Sequence, residues 1–293
     1  MTNSVNVSKA NIAAQNQVQE IRARGKVLEI CNLTDMIYLL RLHCESFAPA
    51  RAGQFVNLSI PGFFLRRPLA IADLHRYVDG SADLTVIVAR VGGGTRALGG
   101  LPVGTEISVL GPLGNGFDLN GFDLTGADAD FAAQPVLIGG GSGIPPLYYL
   151  AKEFVKIGAA PQVYLGFRNM EAVYFEKEFG EIGCAVTIAT EDGSYGRPGF
   201  VTSALPGEVR NVYACGPGGM LQAVKSWAAL QKNGDFENGK PQIQLSLEAH
   251  MGCGFGACLG CTVRTVRGLE RVCLEGPVFN CEDVIFADGE AAA

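Results

Sequence analysis

Four cysteines near the C-terminal end constrain this chain more than any other feature of its sequence. They follow the spacing C-x4-C-x2-C-x11-C, at Cys253, Cys258, Cys261 and Cys273. This spacing is typical of the plant-type ligand set of a [2Fe–2S] cluster, in which a tight loop supplies three sulfurs and a later segment supplies the fourth. Glycines alternate with the first three cysteines, so the loop is free to adopt positive φ angles and to bring backbone N–H groups close to the sulfurs. The motif therefore predicts a [2Fe–2S] cluster on these four residues.

Three other interpretations of the cysteines are open. A structural zinc site usually uses paired C-x2-C units, and a four-residue gap rich in glycine fits that pattern poorly. Disulfides require an oxidising compartment, and buried structural thiols have no reason to gather in one loop. The chain has nine cysteines in total. We expect Cys31, Cys44 and Cys184 to be buried and Cys281 to lie outside the ligand set.

The composition describes a globular chain with room for two domains and a small third. Of 293 residues, 48% are hydrophobic and 18% are charged, which allows a large core. The net charge of −6 disfavours a nucleic-acid partner, which requires a basic face. No apolar run is long enough to cross a bilayer, and the N-terminal residues lack the apolar segment of a signal peptide. We expect a cytoplasmic protein whose residues 1–23 form a variable leader.

Residues 24–115 have the pattern of a closed antiparallel β-barrel. Short apolar runs recur at even spacing and are separated by Gly, Pro and Asp, as in barrels built from consecutive strands. The runs that we predict to be strands are residues 26–30, 36–42, 54–60, 84–90 and 106–110.

Two segments of the predicted barrel are candidates for binding a nucleotide. In residues 67–70, Arg-Pro-Leu-Ala, the fixed φ of proline would present the arginine to a phosphate. In residues 92–95, Gly-Gly-Gly-Thr, backbone N–H groups would surround a pyrophosphate, and residues 96–98 would open a short helix. Taken alone, a glycine-rich loop between strands is more often a plain turn. The presence of both segments in one barrel is what favours a nucleotide site.

After a predicted linker at residues 111–130, the pattern changes to alternating strands and helices over residues 131–235. A short strand at 135–138 runs into the glycine-rich residues 139–143 and then into a helix at 144–154 with proline in its first turn. A strand, a glycine loop and a helix N-terminus form a dinucleotide phosphate site, although this sequence is not a strict G-x-G-x-x-G. The remaining predicted elements are strands at 161–165, 185–189 and 211–215 and a helix that ends near residue 231.

Ligands of open α/β sheets bind at the carboxyl ends of the strands, so residues 139–143, 191–193 and 215–219 should share one edge. Two interpretations of Asp192 remain open. An acid at this edge would bind the ribose hydroxyls of NAD, although Arg168 and Arg197 lie close enough in sequence to weaken that inference. Equally, Asp192 would serve as a turn residue before glycine.

Cys215 also has two interpretations. It ends a predicted strand and precedes Gly-Pro-Gly, so it is either a small apolar residue of the core or a residue that leaves room for a nicotinamide ring. The Cys-Gly-Pro-Gly sequence before a helix favours the second interpretation, because small residues leave room for the ring. The order of barrel, α/β sheet and cysteine loop suggests an electron path. Nicotinamide gives up two electrons together as hydride, a [2Fe–2S] cluster accepts them singly, and a flavin serves both. A flavin nucleotide on the barrel and a nicotinamide nucleotide on the sheet would therefore form a coherent set.

This series of motifs resembles the ferredoxin–NADP reductase superfamily and, within it, the electron-transfer subunits of class 1B dihydroorotate dehydrogenases. The resemblance covers about residues 24–286 and is most specific in the cysteine loop and in the Gly-Pro-Val-Phe sequence at 276–279. The other motifs that carry it lie at residues 67–70, 94–95, 110–117, 139–147, 191–196 and 213–217. Relatives usually have Ser or Thr where this chain has Ala70, so one hydroxyl contact to the flavin would be absent.

The resemblance implies FAD on the barrel, NAD(H) on the α/β sheet and one [2Fe–2S] cluster in a small β-rich domain over residues 240–286. It implies no catalytic residue for dihydroorotate oxidation in this chain. From the motifs and the resemblance together, the residues predicted to contact the two nucleotides are Arg67, Pro68, Leu69, Ala70, Val88, Ala89, Arg90, Gly94, Thr95, Gly139, Gly140, Gly141, Ser142, Gly143, Asp192, Cys215, Gly216 and Pro217.

The resemblance also implies a partner, an FMN-containing catalytic subunit that oxidises dihydroorotate to orotate in pyrimidine synthesis. Electrons would then run from FMN to the cluster, to FAD and to NAD+, and the usual assembly would hold two copies of each subunit. The small subunit of a sulfide dehydrogenase or of an NADH-dependent ferredoxin–NADP oxidoreductase is the alternative, because those proteins share the cysteine pattern. A zinc-bound structural or interaction protein is a third hypothesis.

Overall fold

The computed structural model describes residues 22–119, 134–206, 209–231 and 242–286. Residues 1–21 of the predicted leader and residues 120–130 of the predicted linker lie outside the described residues. Among the described helices, none combines the length and the apolar character that spanning a bilayer requires.

A closed antiparallel barrel forms the first part of the chain, as the sequence predicts. Its strands pair in the order β1-β2-β5-β4-β3-β6. Alternate residues of β2, among them Tyr38, Leu40 and Leu42, are fully buried inside it, as the two-residue period of a strand requires. The six strands are β1 (Arg22–Asn32), β2 (Ile37–Cys44), β3 (Phe55–Leu58), β4 (Arg67–Arg76), β5 (Ala82–Ala89) and β6 (Glu106–Leu113).

Two sequence predictions for the barrel need correction. The predicted linker begins at Gly111, but β6 continues to Leu113. A Cβ atom on Gly111 would lie 2.8 Å from Cγ1 of Val56, so this glycine allows close strand packing and does not mark a loop. Cys31 was expected to be buried and is exposed, because it is the second-last residue of β1, beyond the buried part of that strand. Cys44 and Cys184 are buried, as expected.

The second part is a seven-stranded sheet in the order β10-β9-β8-β7-β11-β12-β15. Its strands are β7 (Val136–Gly140), β8 (Gln162–Phe167), β9 (Ala185–Thr190), β10 (Arg197–Pro198), β11 (Asn211–Cys215), β12 (Gln242–Ser246) and β15 (Val278–Asn280), while β13 (Thr262–Thr265) and β14 (Gly268–Arg271) form a separate hairpin. All neighbours in the sheet are parallel except β15, which runs antiparallel to β12. The described α-helices are α1 (Gly93–Gly99), α2 (Ile144–Lys156), α3 (Glu176–Glu181) and α4 (Gly218–Gln231).

The cysteine-rich segment is built onto this sheet at both ends. Strand β12 precedes it and pairs with β11, and β15 follows it and returns to pair with β12. The segment 240–286 contributes two strands to the sheet of the segment 131–235. The division of the chain into three separate domains, at residues 24–115, 131–235 and 240–286, therefore stays a prediction.

Helix α2 connects the sheet to the barrel. Its apolar face buries Leu147, Leu150 and Phe154 at helical spacing, while its polar residues reach β4 and the loop before β3. The Nζ of Lys152 lies 2.6 Å from both carboxylate oxygens of Asp73, and the Tyr149 hydroxyl donates to the carbonyl of Ala50 at 3.0 Å. These contacts fix the barrel against the α/β layer.

We predict that Lys152→Met lowers the free energy of unfolding by about 1 kcal/mol, because it leaves Asp73 half-buried without its cation. Urea denaturation followed by circular dichroism measures the change. The control is Lys177→Met, which removes a much more exposed pair with Glu181 on α3 and should change stability very little. Equal losses in the two variants would contradict the prediction.

Candidate functional site

The cysteine loop lies between β12 and β13, and its backbone is shaped by residues with positive φ. Gly254 has φ of 81°, Gly256 has φ of 87° and Leu259 has φ of 60°. These values bend the chain tightly enough to bring the four predicted ligands together. Cys261 and Cys273 are each only 2% exposed, whereas Cys258 is exposed and Cys253 is intermediate.

Backbone N–H groups point at the cysteine sulfurs. The N–H of Gly256 donates to Sγ of Cys273 at 3.1 Å, that of Ala257 to Sγ of Cys253 at 3.3 Å, and that of Cys273 to Sγ of Cys261 at 3.4 Å. Burial opposes ionisation of Cys253, but backbone N–H donors and the neighbouring thiol of Cys258 outweigh it and lower the pKa of Cys253. The loop therefore favours the thiolate at Cys253, whereas burial and the hydrogen bond with Cys261 raise the pKa of Cys273 to about 12.

The four thiols are arranged as two pairs. Cys253 contacts Cys258, and Cys261 contacts Cys273. Throughout the part of the chain that the structure describes, no three Cys, His, Asp or Glu side chains are placed to hold a single metal ion. Two pairs of sulfurs fit a binuclear [2Fe–2S] centre, in which each iron takes two protein ligands. The arrangement fits a single zinc ion less well, since zinc needs four ligands around one point.

Arg67 brings together the two candidate segments of the barrel. A Cβ atom on Gly94 would lie 2.6 Å from a guanidinium nitrogen of Arg67, so only glycine allows this approach. The same guanidinium lies 5.6 Å from the ring centre of Phe63. Arg67 also donates to the carbonyl of Leu65 at 2.6 Å, whereas Arg66 donates to the carbonyls of Asn57 and Ser108. Of the two adjacent arginines, Arg67 is therefore the one that lies beside the glycine segment.

The remaining barrel candidates differ in what they offer to a ligand. Pro68, Leu69 and Ala70 are half-buried in β4. Val88 is fully buried in the barrel core, so only its backbone is available, and Ala89 is half-buried.

Two further candidates are already hydrogen-bonded within the barrel. The Arg90 guanidinium donates to Oδ1 of Asn32 at 2.6 Å and lies 4.6 Å from the ring centre of Tyr38. The Thr95 hydroxyl exchanges hydrogen bonds of 3.1 Å with the backbone of Gly92. Both side chains therefore stabilise the glycine segment and its surroundings in this structure.

The glycine loop after β7 and the loop after β11 pack directly on each other. A Cβ atom on Gly143 would lie 2.1 Å from the carbonyl oxygen of Cys215, and one on Gly216 would lie 3.0 Å from the carbonyl oxygen of Gly140. Helix α2 begins immediately after Gly143. Because both loops follow parallel neighbouring strands, they meet at the carboxyl edge of the sheet, where α/β proteins bind ligands.

An apolar crevice of about 870 Å³ separates the barrel from this edge, a size typical of cofactor sites. Ala89 lines it from the barrel, and Gly140, Gly141, Ser142 and Pro217 line it from the sheet. Five predicted contact residues from both parts of the protein therefore face one cavity.

Glu191 faces the crevice, whereas its neighbour Asp192 is held in a turn. One carboxylate oxygen of Asp192 accepts from the backbone N–H of Ser194 at 2.9 Å and from its hydroxyl at 2.6 Å. These hydrogen bonds lower the pKa of Asp192. Glu191 and Arg168 line the crevice. The ribose-binding role of Asp192 stays a prediction, and the structure offers Glu191 as a second acid for it.

Glu248 is a site residue that sequence reasoning missed, although it opens the cysteine motif. It follows β12, and its carboxylate accepts from the Ser142 hydroxyl at 3.1 Å. The residue keeps solvent exposure, but protein atoms around its carboxylate raise the pKa of Glu248, and the Ser142 hydrogen bond opposes this effect. Burial, reinforced by Glu248, in turn raises the pKa of the neighbouring Cys215 thiol. Glu248 thus joins the glycine loop to the start of the cysteine loop.

The barrel, the nucleotide-binding sheet and the paired thiols define an oxidoreductase of the ferredoxin-reductase type. Residues 137–226 match the oxidoreductase NAD-binding domain, and residues 248–285 match the iron–sulfur cluster binding domain of dihydroorotate dehydrogenase B.

Sequence similarity then identifies the family. The chain is 38% identical over 273 residues to the dihydroorotate dehydrogenase B (NAD+) electron transfer subunit of Listeria innocua, with 90% of this chain and 99% of that protein covered. It is 40% identical over 242 residues to the subunit of the same name from a Geobacillus species, with 80% and 86% covered. The chain belongs to this family of electron transfer subunits. A solved structure of an NADH-dependent reduced ferredoxin–NADP oxidoreductase is also similar, with 28% identity, a TM-score of 0.74 and 89% of each chain covered.

We predict that Glu248→Gln stabilises the protein more at pH near 7.5 than at pH near 4.5. Because folding raises the pKa of Glu248, the folded state binds more protons than the unfolded state above the ordinary glutamate pKa of about 4.3, and the carboxylate destabilises the fold increasingly as the pH rises. Glutamine removes this penalty.

Thermal unfolding of the two proteins at the two pH values measures the effect. Glu106→Gln at the exposed start of β6 gives the background change for losing one carboxylate. A stabilisation by Glu248→Gln that is larger at the lower pH would contradict the prediction.

Proposed function

We propose that this chain transfers electrons from an FMN-containing partner, which oxidises dihydroorotate, to NAD+. Its resident cofactors would be FAD and a [2Fe–2S] cluster. The observation that carries the proposal is the cysteine loop, whose four thiols form two pairs and in which backbone N–H groups donate to three of the four sulfurs. The names of the relatives that match most of the chain support the same function. The product, orotate, would enter pyrimidine synthesis.

The proposed reaction balances without a further oxidant. Dihydroorotate loses two electrons and two protons on the partner, NAD+ takes up two electrons and one proton, and one proton is released. The cofactors supply the exchange between paired and single electrons, since a flavin serves both hydride donors and one-electron centres.

The side chains and backbone of this chain would bind and orient the cofactors. Cys253, Cys258, Cys261 and Cys273 would be the cluster ligands. Arg67 would bind a flavin phosphate beside Gly94, with β4 and the β5 end completing the flavin site. The N-terminus of α2 and residues 139–143 would bind the NAD pyrophosphate, and Cys215, Gly216 and Pro217 would leave room for the nicotinamide. The apolar lining of the crevice would exclude water from the exchange.

Reconstitution tests the proposal. The chain is co-expressed with the FMN-containing dihydroorotate dehydrogenase subunit, and dihydroorotate-dependent NADH formation is followed by the absorbance of NADH. Activity that requires both chains, together with a complex of two copies of each, is the expected result. A partner that binds but leaves NAD+ unreduced, while the chain holds FAD and iron, would contradict the proposal.

A second candidate is the small subunit of an NADH-dependent ferredoxin–NADP oxidoreductase, because that solved structure covers 89% of this chain. The two functions differ in the partner. Isolation of the native complex with a subunit that carries [4Fe–4S] clusters would favour this second function and exclude the first.

We predict that Cys258→Ser lowers iron and acid-labile sulfide sharply and abolishes the paramagnetic signal of the reduced cluster, because one iron loses a thiolate. The matched control is Cys281→Ser, in the same segment but outside the proposed ligand set, which should retain full iron. Iron retention in the first variant, or equal losses in both, would contradict the ligand assignment.

We predict that Glu191→Gln raises the KM for NADH about tenfold with little change in kcat, because a hydrogen bond from ribose to a carboxylate contributes about 1.5 kcal/mol to binding. NADH–dye reductase kinetics measure both constants. The comparison variant is Asp192→Asn. A larger rise in KM for Asp192→Asn would assign the ribose to Asp192 instead.

A further inference from the structure

Asn57 connects the flavin-binding part of the barrel to the cysteine loop. It lies in β3, where it pairs with Pro68 of the predicted flavin segment, and it is only 1% exposed. Its side-chain Nδ2 donates to the backbone carbonyl of Cys253 at 3.1 Å. One buried amide thus contacts a proposed cluster ligand and belongs to the strand next to the proposed flavin strand.

The position of Asn57 is fixed from the barrel side as well. Its backbone carbonyl accepts from Nη1 of Arg66 at 3.1 Å, and the same nitrogen donates to the Ser108 carbonyl at 3.0 Å. The Arg66 guanidinium also donates to the Ser108 hydroxyl at 3.0 Å. Arg66 therefore ties β3, β4 and β6 together at this residue, which leaves Asn57 little freedom to follow a movement of the cysteine loop.

The cysteine loop is shaped to accept the Asn57 side chain. Gly254 follows the proposed ligand Cys253, and a Cβ atom at this glycine would lie 2.1 Å from Nδ2 of Asn57. Its φ of 81° is also a value that other residues rarely adopt. Close approach of the loop to the Asn57 side chain therefore depends on glycine at position 254.

The other half of the amide has no partner. Oδ1 of Asn57 is buried and makes no hydrogen bond in the part of the chain that the structure describes. A half-satisfied buried amide is less favourable for stability than an apolar side chain of the same shape. Stability alone therefore does not account for asparagine here, whereas a role in holding Cys253 does.

We propose that Asn57 is a positioning residue that sets the separation between the cluster ligand Cys253 and the flavin-binding strand β4. This inference rests on the proposed function. In the NADH-driven direction, which is the reverse of the proposed one, NADH would deliver two electrons to the flavin as hydride. The cluster would accept one of them as one iron changes from ferric to ferrous, and the other would stay on the flavin. The rate of electron transfer between the flavin and the cluster depends on the separation that Asn57 sets. The rate of flavin reduction by NADH does not, since Asn57 is not among the residues lining the crevice.

The chain offers a matched control in Asn115. Its Nδ2 donates to the carbonyl of Glu275 at 2.6 Å, and its Oδ1 is likewise buried without a hydrogen bond among the described residues. It therefore joins the end of the barrel to the cysteine-rich segment by the same chemistry, but it follows β6 and donates to Glu275 and Gly276 rather than to a proposed cluster ligand. Loss of a structural tie should affect both asparagines equally, whereas loss of positioning should affect Asn57 alone.

The experiment compares the loaded, full-length parent with Asn57→Ala and Asn115→Ala. Flavin, iron and sulfide contents are measured first, and stopped-flow absorbance then separates reduction of the flavin by NADH from reduction of the cluster. We expect Asn57→Ala to slow cluster reduction about tenfold or more and to leave flavin reduction unchanged. Asn115→Ala should leave both rates unchanged. A redox titration of Asn57→Asp should give a lower cluster potential, because added negative charge favours the oxidised cluster.

Equal slowing in Asn57→Ala and Asn115→Ala, or no slowing in either, would overturn the inference. If Asn57→Ala does not load iron, Asn57→Ser, which keeps a short hydroxyl donor, provides the same comparison. Failure of the proposed function gives a different result, since the parent itself would then lack an NADH-reducible flavin or a binuclear iron signal.

Discussion

Backbone N–H groups directed at sulfur are the interaction on which the C-terminal part of this structure depends. Cys261 and Cys273 are almost completely buried, and burial raises the pKa of the Cys273 thiol to about 12, which opposes the thiolate form that iron requires. The N–H of Gly256 acts in the opposite direction at Cys273, and the N–H of Ala257 helps to lower the pKa of Cys253. They reach the sulfurs because glycines let the loop turn with positive φ. The glycines between the cysteines are thus as necessary to the site as the cysteines themselves.

Adjacent strands of the sheet bring together the glycine loop, the loop after β11 and the start of the cysteine loop. Strand β11 ends at Cys215, its neighbour β12 leads to Glu248 and the cysteine loop, and β7 on the other side leads to the glycine loop. Ser142 and Glu248 then join the glycine loop to the start of the cysteine loop across 106 residues. The two loops at the carboxyl edge and the cysteine-rich segment are consequently held by adjacent strands, and the barrel approaches them through the crevice and through Asn57.

Local patterns predicted most of the fold. Five of six barrel strands, the short helix α1 and the glycine loop before α2 could be predicted, because alternation, glycine and proline act within a few residues. Strand β4 was not predicted as a strand, since its Arg-Pro start indicates an irregular segment. Glu191, Glu248 and Asn57 could not be assigned from sequence, because their roles depend on contacts between distant segments; Asn57 and Cys253 lie 196 residues apart.

The two thiol pairs differ in their access to solvent. Cys261 and Cys273 lie in the core, whereas Cys258 is exposed and Cys253 is partly so. A binuclear centre bound here would be asymmetric: water would stabilise added charge near the outer iron better than near the inner one. The iron held by Cys253 and Cys258 would therefore be the ferrous one in the reduced centre. Dioxygen or a chelator would reach that iron first.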